Sequence, residues 1–63
     1  MKNSVDTYNE NLTRKIRKEL ETKKTVFLSY EDYAGSMKDI ERSLKAAGLK
    51  YTTPGMGNYY LTK

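Results

Sequence analysis

Arg14, Lys15, Arg17 and Lys18 place four cations within five positions, all of them off the apolar row that runs through the same segment. Guanidinium and ammonium groups only donate hydrogen bonds and keep their charge at neutral pH, so a one-sided cluster of them suits phosphate. Arg14, Lys15 and Lys18 are therefore candidate phosphate ligands, although a solvated helix face has the same pattern. Lys38, Arg42 and Lys45 form a second set, but Asp39 and Glu41 are interleaved with it, and carboxylates repel phosphate. Arg42 alone of the three has the planar fork that matches the edge of guanine, and residues 37–47 contain no Asn or Gln to match adenine. A third set, Lys50, Asn58 and Lys63, falls within residues 49–63, which carry no acid.

The aromatic residues offer a different chemistry. Tyr8, Tyr51 and Tyr59 fall at core-facing positions with their hydroxyls toward the rim, whereas Tyr30, Tyr33 and Tyr60 are expected to be partly exposed. Exposed tyrosines serve as anchors for a protein partner or as platforms for unpaired bases. Phe27 alternates out of phase with Val26 and Leu28, so something outside the core must cover it. The chain has no cysteine and no histidine, which removes disulfides, the usual zinc ligands and the ordinary nucleophile–base pairs. No enzymatic activity, metal or cofactor is expected. Gly55-Met56-Gly57 is followed by no helix, so it is not a phosphate loop.

The elements that must position these groups follow from periodicity. Residues 1–7 are polar and expected to be flexible. Thr7 and Glu10 have capping-box spacing, and Tyr8, Leu12, Ile16 and Leu20 then recur at four-residue steps, which predicts a basic helix over residues 8–24. Lys23 and Lys24 suit the negative end of its dipole. Residues 25–30 read as a strand with Val26 and Leu28 on its core face. Residues 30–34 have the length of one helical turn or two, with Ser29 as the N-cap. Ser36 and Asp39 repeat the capping logic, and Met37, Ile40, Leu44 and Ala47 share one face of the helix that follows. Gly48 and Leu49 have the order of a helix C-terminus that folds back on its last turn. Two strands over residues 49–63 flank a tip in which Pro54-Gly55 suits the centre of a type II turn. Ile40, Leu44, Leu12, Ile16, Val26, Leu28 and Leu61 are expected to be the most buried side chains.

The resulting order, α-β-α-α-β-β in one α+β domain, resembles the winged helix-turn-helix superfamily. The resemblance covers roughly residues 8–62 and rests mainly on Ile40, Leu44, Gly48 and Leu49 followed by a hairpin ending Tyr59-Tyr60-Leu61. It implies a shortened member, with residues 31–48 as the helix-turn-helix part and residues 49–63 as the wing. In that family the third helix enters the major groove and the wing lies against the backbone or minor groove. The nucleic-acid ligands implied here are then Arg14, Lys15, Lys18, Lys38, Arg42, Lys45, Lys50, Asn58 and Lys63.

Charge agrees with such a surface. The net charge of +4 divides into +3 over residues 1–24, −1 over residues 25–48 and +2 over residues 49–63. Double-stranded DNA is the first expected partner, in transcription or replication control of the phage, archaeal-virus or plasmid type. The alternative from the same setting is an inhibitor or adaptor that grips a host enzyme, such as a polymerase or a defence nuclease of the CRISPR class, through Phe27, Tyr30, Tyr33 and Tyr60. No apolar run approaches the ~20 residues of a membrane span, so no membrane partner and a cytoplasmic location are expected. A homodimer formed through the first helix and the Phe27 strand edge is a further expectation.

Overall fold

Residues 3–63 are described by a computed structural model. Helix α1 (Ser4–Glu19) opens at Asn3, whose side-chain oxygen accepts the Asp6 N–H at 2.8 Å, and Asp6 adds negative charge in the first turn. The helix therefore starts four residues before the sequence expectation. Residues 4–7 form its first turn, with Asn3 and not Thr7 as the cap, and residues 1 and 2 lie outside the described residues. It ends at Glu19, with Leu20 as C-cap, short of Lys23 and Lys24.

The buried row of α1 is Asn9, Thr13 and Ile16, continued by Leu20. Ile16 and Leu20 match the expected stripe, but its upper half is rotated by one residue, and Tyr8 is 54% exposed. The cause lies in what the upper half faces. Asn9 meets the polar backbone at Ala34, where its Nδ2 donates to the Ala34 carbonyl and its Oδ1 accepts the Ala34 N–H, both at 2.9 Å. A tyrosine ring could satisfy neither group.

Strand β1 (Val26–Leu28) leads into residues 29–36, which form a turn and not the expected helix. Asp32 Oδ2 accepts the Ser29 N–H, the Ser29 carbonyl accepts the Asp32 N–H, and Ser29 Oγ accepts the Glu31 N–H. Such local bonds offer the backbone an alternative to helix. Gly35 then takes φ +77°, where a side chain would also drive into Asp39 and Val5, so no helix can run through it.

Helix α2 (Met37–Ala46) keeps the bounds its signals predict. Asp39 Oδ2 accepts both the N–H and the hydroxyl of Ser36, and at the other end Leu49 N–H donates to Leu44 and Gly48 N–H to Lys45. That pair of bonds is a Schellman closure, and it returns Leu49 to the core. Strands β2 (Lys50–Gly55) and β3 (Asn58–Thr62) complete an antiparallel sheet in the order β1-β3-β2. The hairpin turns at Met56-Gly57 and not at Pro54-Gly55, because an irregularity in register between Thr52 and Gly55 carries the strand two residues further. Gly57 supplies the positive φ, +78°.

Both helices pack on one face of the sheet. Ile16, Leu20, Leu28, Ile40, Leu44, Leu49, Tyr59 and Leu61 form the core. Leu12 and Val26, expected among the most buried, are only half-buried, because a hollow opens between α1 and β1 beside Tyr8 and Phe27. The result is a compact α+β unit of two helices and a three-stranded antiparallel sheet. Among the described residues no helix is long and apolar enough to cross a membrane.

Candidate nucleic-acid interface

Helix geometry sorts the basic residues of α1 into two groups. At about 100° per residue, Arg14, Arg17 and Lys18 fall within one quadrant or little more, and Lys15 points elsewhere. The first three line a groove of about 600 Å³ together with Ala47, Gly48, Leu49 and Lys63. Glu21 is the acid on its rim. Cations from both ends of the chain thus converge where α1, the exit of α2 and the end of β3 meet. Arg17 was not among the residues singled out as ligands, although its three-residue spacing from Arg14 was the available signal.

Not every cation in this region is equally available. Arg14 donates to Glu10 Oε1 at 2.8 Å and to Asn11 at 3.3 Å, so part of its charge is answered within α1. Lys15 lines the other side of the helix, in the hollow shared with Tyr8 and Phe27. Lys38 and Lys45 stand exposed on α2. Arg42 is engaged: its Nη2 donates to Asp6 at 2.8 Å and to Asp39 at 2.9 Å, tying α2 to the start of α1. Those carboxylates, Asp6 first, raise its pKa above the ordinary arginine value. Asp39 is lowered from the usual carboxylate value, first by the Ser36 backbone N–H and hydroxyl and also by Arg42. The arginine expected to read guanine is therefore oriented for a structural pair.

The second acid on α2 is also in use. Glu41 accepts the Tyr59 hydroxyl at 2.7 Å and the Tyr51 hydroxyl at 3.4 Å, bonding α2 to both strands of the β2–β3 hairpin. The Tyr51 and Tyr59 rings meet edge to face at 5.4 Å. Burial, then the Glu41 carboxylate, pushes the Tyr59 hydroxyl well above its ordinary pKa, and the same two causes raise Tyr33. Arg42 answers the charge of Asp39, whereas the hydroxyls bonded to Glu41 are neutral and leave its charge in place.

No protein family, curated protein or solved structure matches this chain. What its surfaces can bind follows from their own chemistry.

The tip of the β2–β3 hairpin is braced from beneath. Tyr33 donates its hydroxyl to the Gly57 carbonyl at 2.8 Å, and Asn58 Oδ1 accepts the Tyr30 N–H at 3.1 Å. Tyr33 is thus partly exposed, as expected, but serves as a support, and Asn58, expected to project from the tip, is half-buried and tied through its Oδ1 to Tyr30. Tyr30 packs so closely over Gly57 that a Cβ there would lie 2.9 Å from the tyrosine's own Cβ. Above this support Tyr30 is 62% and Met56 91% exposed. Replacing Tyr33 by phenylalanine keeps the ring and removes one hydrogen bond, so it should cost about 0.5–1.5 kcal/mol and speed amide exchange at the tip. Exchange at residues 55–58 as slow as in the parent protein would show that the bond does not hold the hairpin tip.

On the other side of the sheet, Lys50 lies opposite Thr62, and Tyr60 lies beside Phe27 with ring centroids 5.2 Å apart. Phe27 is 51% and Tyr60 45% exposed. The candidate residues therefore divide between two faces, with Arg14, Lys18 and Lys63 in the groove and Lys50, Phe27 and Tyr60 behind the sheet.

Proposed function

We propose that this chain is a small winged-helix DNA-binding protein that grips the phosphate backbone of duplex DNA, in transcription or replication control of a phage, viral or plasmid element. The observation that carries this reading is the convergence of Arg14, Arg17, Lys18 and Lys63 on one open groove. The β1-β3-β2 sheet with its C-terminal hairpin supports the winged-helix frame, as does α2 leaving through Gly48 and Leu49 into the first wing strand. The contact surface differs from the family's usual one. Arg42 is held by two carboxylates and α2 has no amide side chain, so direct reading of bases by this helix has little to work with. Binding is then dominated by phosphate contacts, which position a protein without specifying sequence.

Fluorescence anisotropy on unrelated duplexes at two salt concentrations tests this. Arg17→Ala, Lys18→Ala and Lys63→Ala should each weaken binding about equally on every sequence and lower the salt slope by about one unit. Arg14→Ala should do less, because Glu10 already answers its charge. An affinity indifferent to salt would sink the proposal. It would move the weight to the inhibitor or adaptor reading, which the exposed Tyr30 and Met56 on their braced tip favour, since a rigid apolar projection suits a pocket on a host protein.

A further inference from the structure

Strand alternation puts Tyr59 and Leu61 into the core and turns Tyr60 and Thr62 to the opposite face. Register extends that face across all three strands, because Tyr60 is opposite Phe27 on β1 and Thr52 on β2. Both helices pack on the core side, so among the described residues no element covers this row. Its two rings are tilted 56° to one another and about half exposed. Charge divides across the face: residues 49–63 carry no acid and Lys50 is exposed beside Thr52 and Thr62, whereas Glu19, Glu31 and Asp32 line the hollow that Phe27 borders at the edge of β1.

We propose that the outer face of the sheet is a second binding surface, on which Phe27 and Tyr60 stack the unpaired bases of a single-stranded nucleic acid. Every base presents a π-face to such rings, so stacking is tolerant of sequence. Lys50 supplies charge for the backbone, while Thr52 and Thr62 offer hydroxyls to phosphate or sugar oxygens. The β2–β3 hairpin carries Lys50 and no acid, and with the net charge of +4 it attracts a polyanion. The proposal stands apart from duplex binding, because the groove cations lie on the helical side of the sheet.

Labelled oligothymidylate and oligouridylate of about 12 nucleotides would be titrated in parallel with duplex DNA. Phe27→Ala and Tyr60→Ala should each weaken single-strand binding about 5- to 150-fold and change duplex binding less than about twofold. Phe27→Leu and Tyr60→Leu keep apolar bulk without a ring, and they should lose single-strand affinity too if the alanine variants fail to fold. Arg17→Ala and Lys18→Ala should show the reverse preference for the two ligands. Equal affinity for the two oligonucleotides would mark a shared base-and-phosphate chemistry, and a preference would identify DNA or RNA as the source. The proposal is overturned if the parent protein binds neither oligonucleotide at low salt. It is equally overturned if folded leucine variants bind as the parent does, or if the ring variants alter only self-association in light scattering, which would make a second copy the occupant.

Discussion

The Leu44→Ala variant is expected to lose about 2–5 kcal/mol of stability. Leu44 is fully buried on the inner face of α2, in the same cluster as Ile40, Leu28, Tyr59 and Leu61, so the substitution removes apolar atoms from between the helices and the sheet. At 0.05–0.15 kcal/mol per residue, a chain this size has on the order of 3–9 kcal/mol in total. The deletion thus takes a large share of it. Thermal melts followed by circular dichroism should show a drop of about 4–8 °C for each kcal/mol lost. Lys45→Ala, one position along and exposed, should stay within about 0.5 kcal/mol of the parent. The functional consequence comes through Leu49, which donates its N–H to the Leu44 carbonyl and lines the groove. A Leu44→Ala protein that melts with the parent would remove α2's inner face from the core.

Why α2 was legible and the start of α1 was not is a matter of where the deciding contact lies. Ser36 with Asp39, the apolar spacing from Met37 to Ala47, and Gly48 with Leu49 all act within one short stretch, and each points to the same helix. Asn9 is different. Its partner is the backbone of Ala34, 25 positions away, and nothing near Asn9 announces it. Hydropathy alone ranks Tyr8 inside and Asn9 outside, the reverse of what is observed. At Ser29 and Asp32 the sequence signal was real but ambiguous, because the bonds that cap a helix also close a free turn. The hairpin itself was readable, but the centre of its turn was not, since Pro54-Gly55 is a strong turn signal that a register irregularity moves off the tip. The core side of the sheet was readable from alternation alone, and so was the exposure of Phe27. The groove was only half readable. Arg14, Arg17 and Lys18 are neighbours on a helix, but Lys63 joins them through the fold.

Asn9→Ala is expected to cost about 2–3 kcal/mol, almost as much as a core truncation and for a different reason. Asn9 is fully buried, and its amide makes a two-bond bridge to Ala34, so the substitution leaves a backbone donor and acceptor without partners. Each such loss costs about 1–3 kcal/mol, toward the lower end here because Ala34 is only half-buried and water can reach it. The Asn9→Asp variant separates the two bonds. Its carboxylate still accepts the Ala34 N–H but faces the Ala34 carbonyl, and burial beside that oxygen raises its folded pKa above the ordinary aspartate value of about 3.9. The sign follows from linkage: a group raised in the folded state loses stability as pH rises through that pKa. Asn9→Asp should therefore be weakest relative to the parent at neutral pH and recover as the pH falls toward about 4. Urea unfolding at both pH values measures this, and amide exchange at Ala34 and Gly57 reports where the slack appears. The turn bridged by Asn9 also carries Tyr33, whose hydroxyl holds the hairpin tip, so faster exchange should spread from Ala34 to Gly57. An Asn9→Ala protein with parental stability and unchanged exchange at both amides would show that α1 does not hold the turn and that the hairpin tip is braced without it.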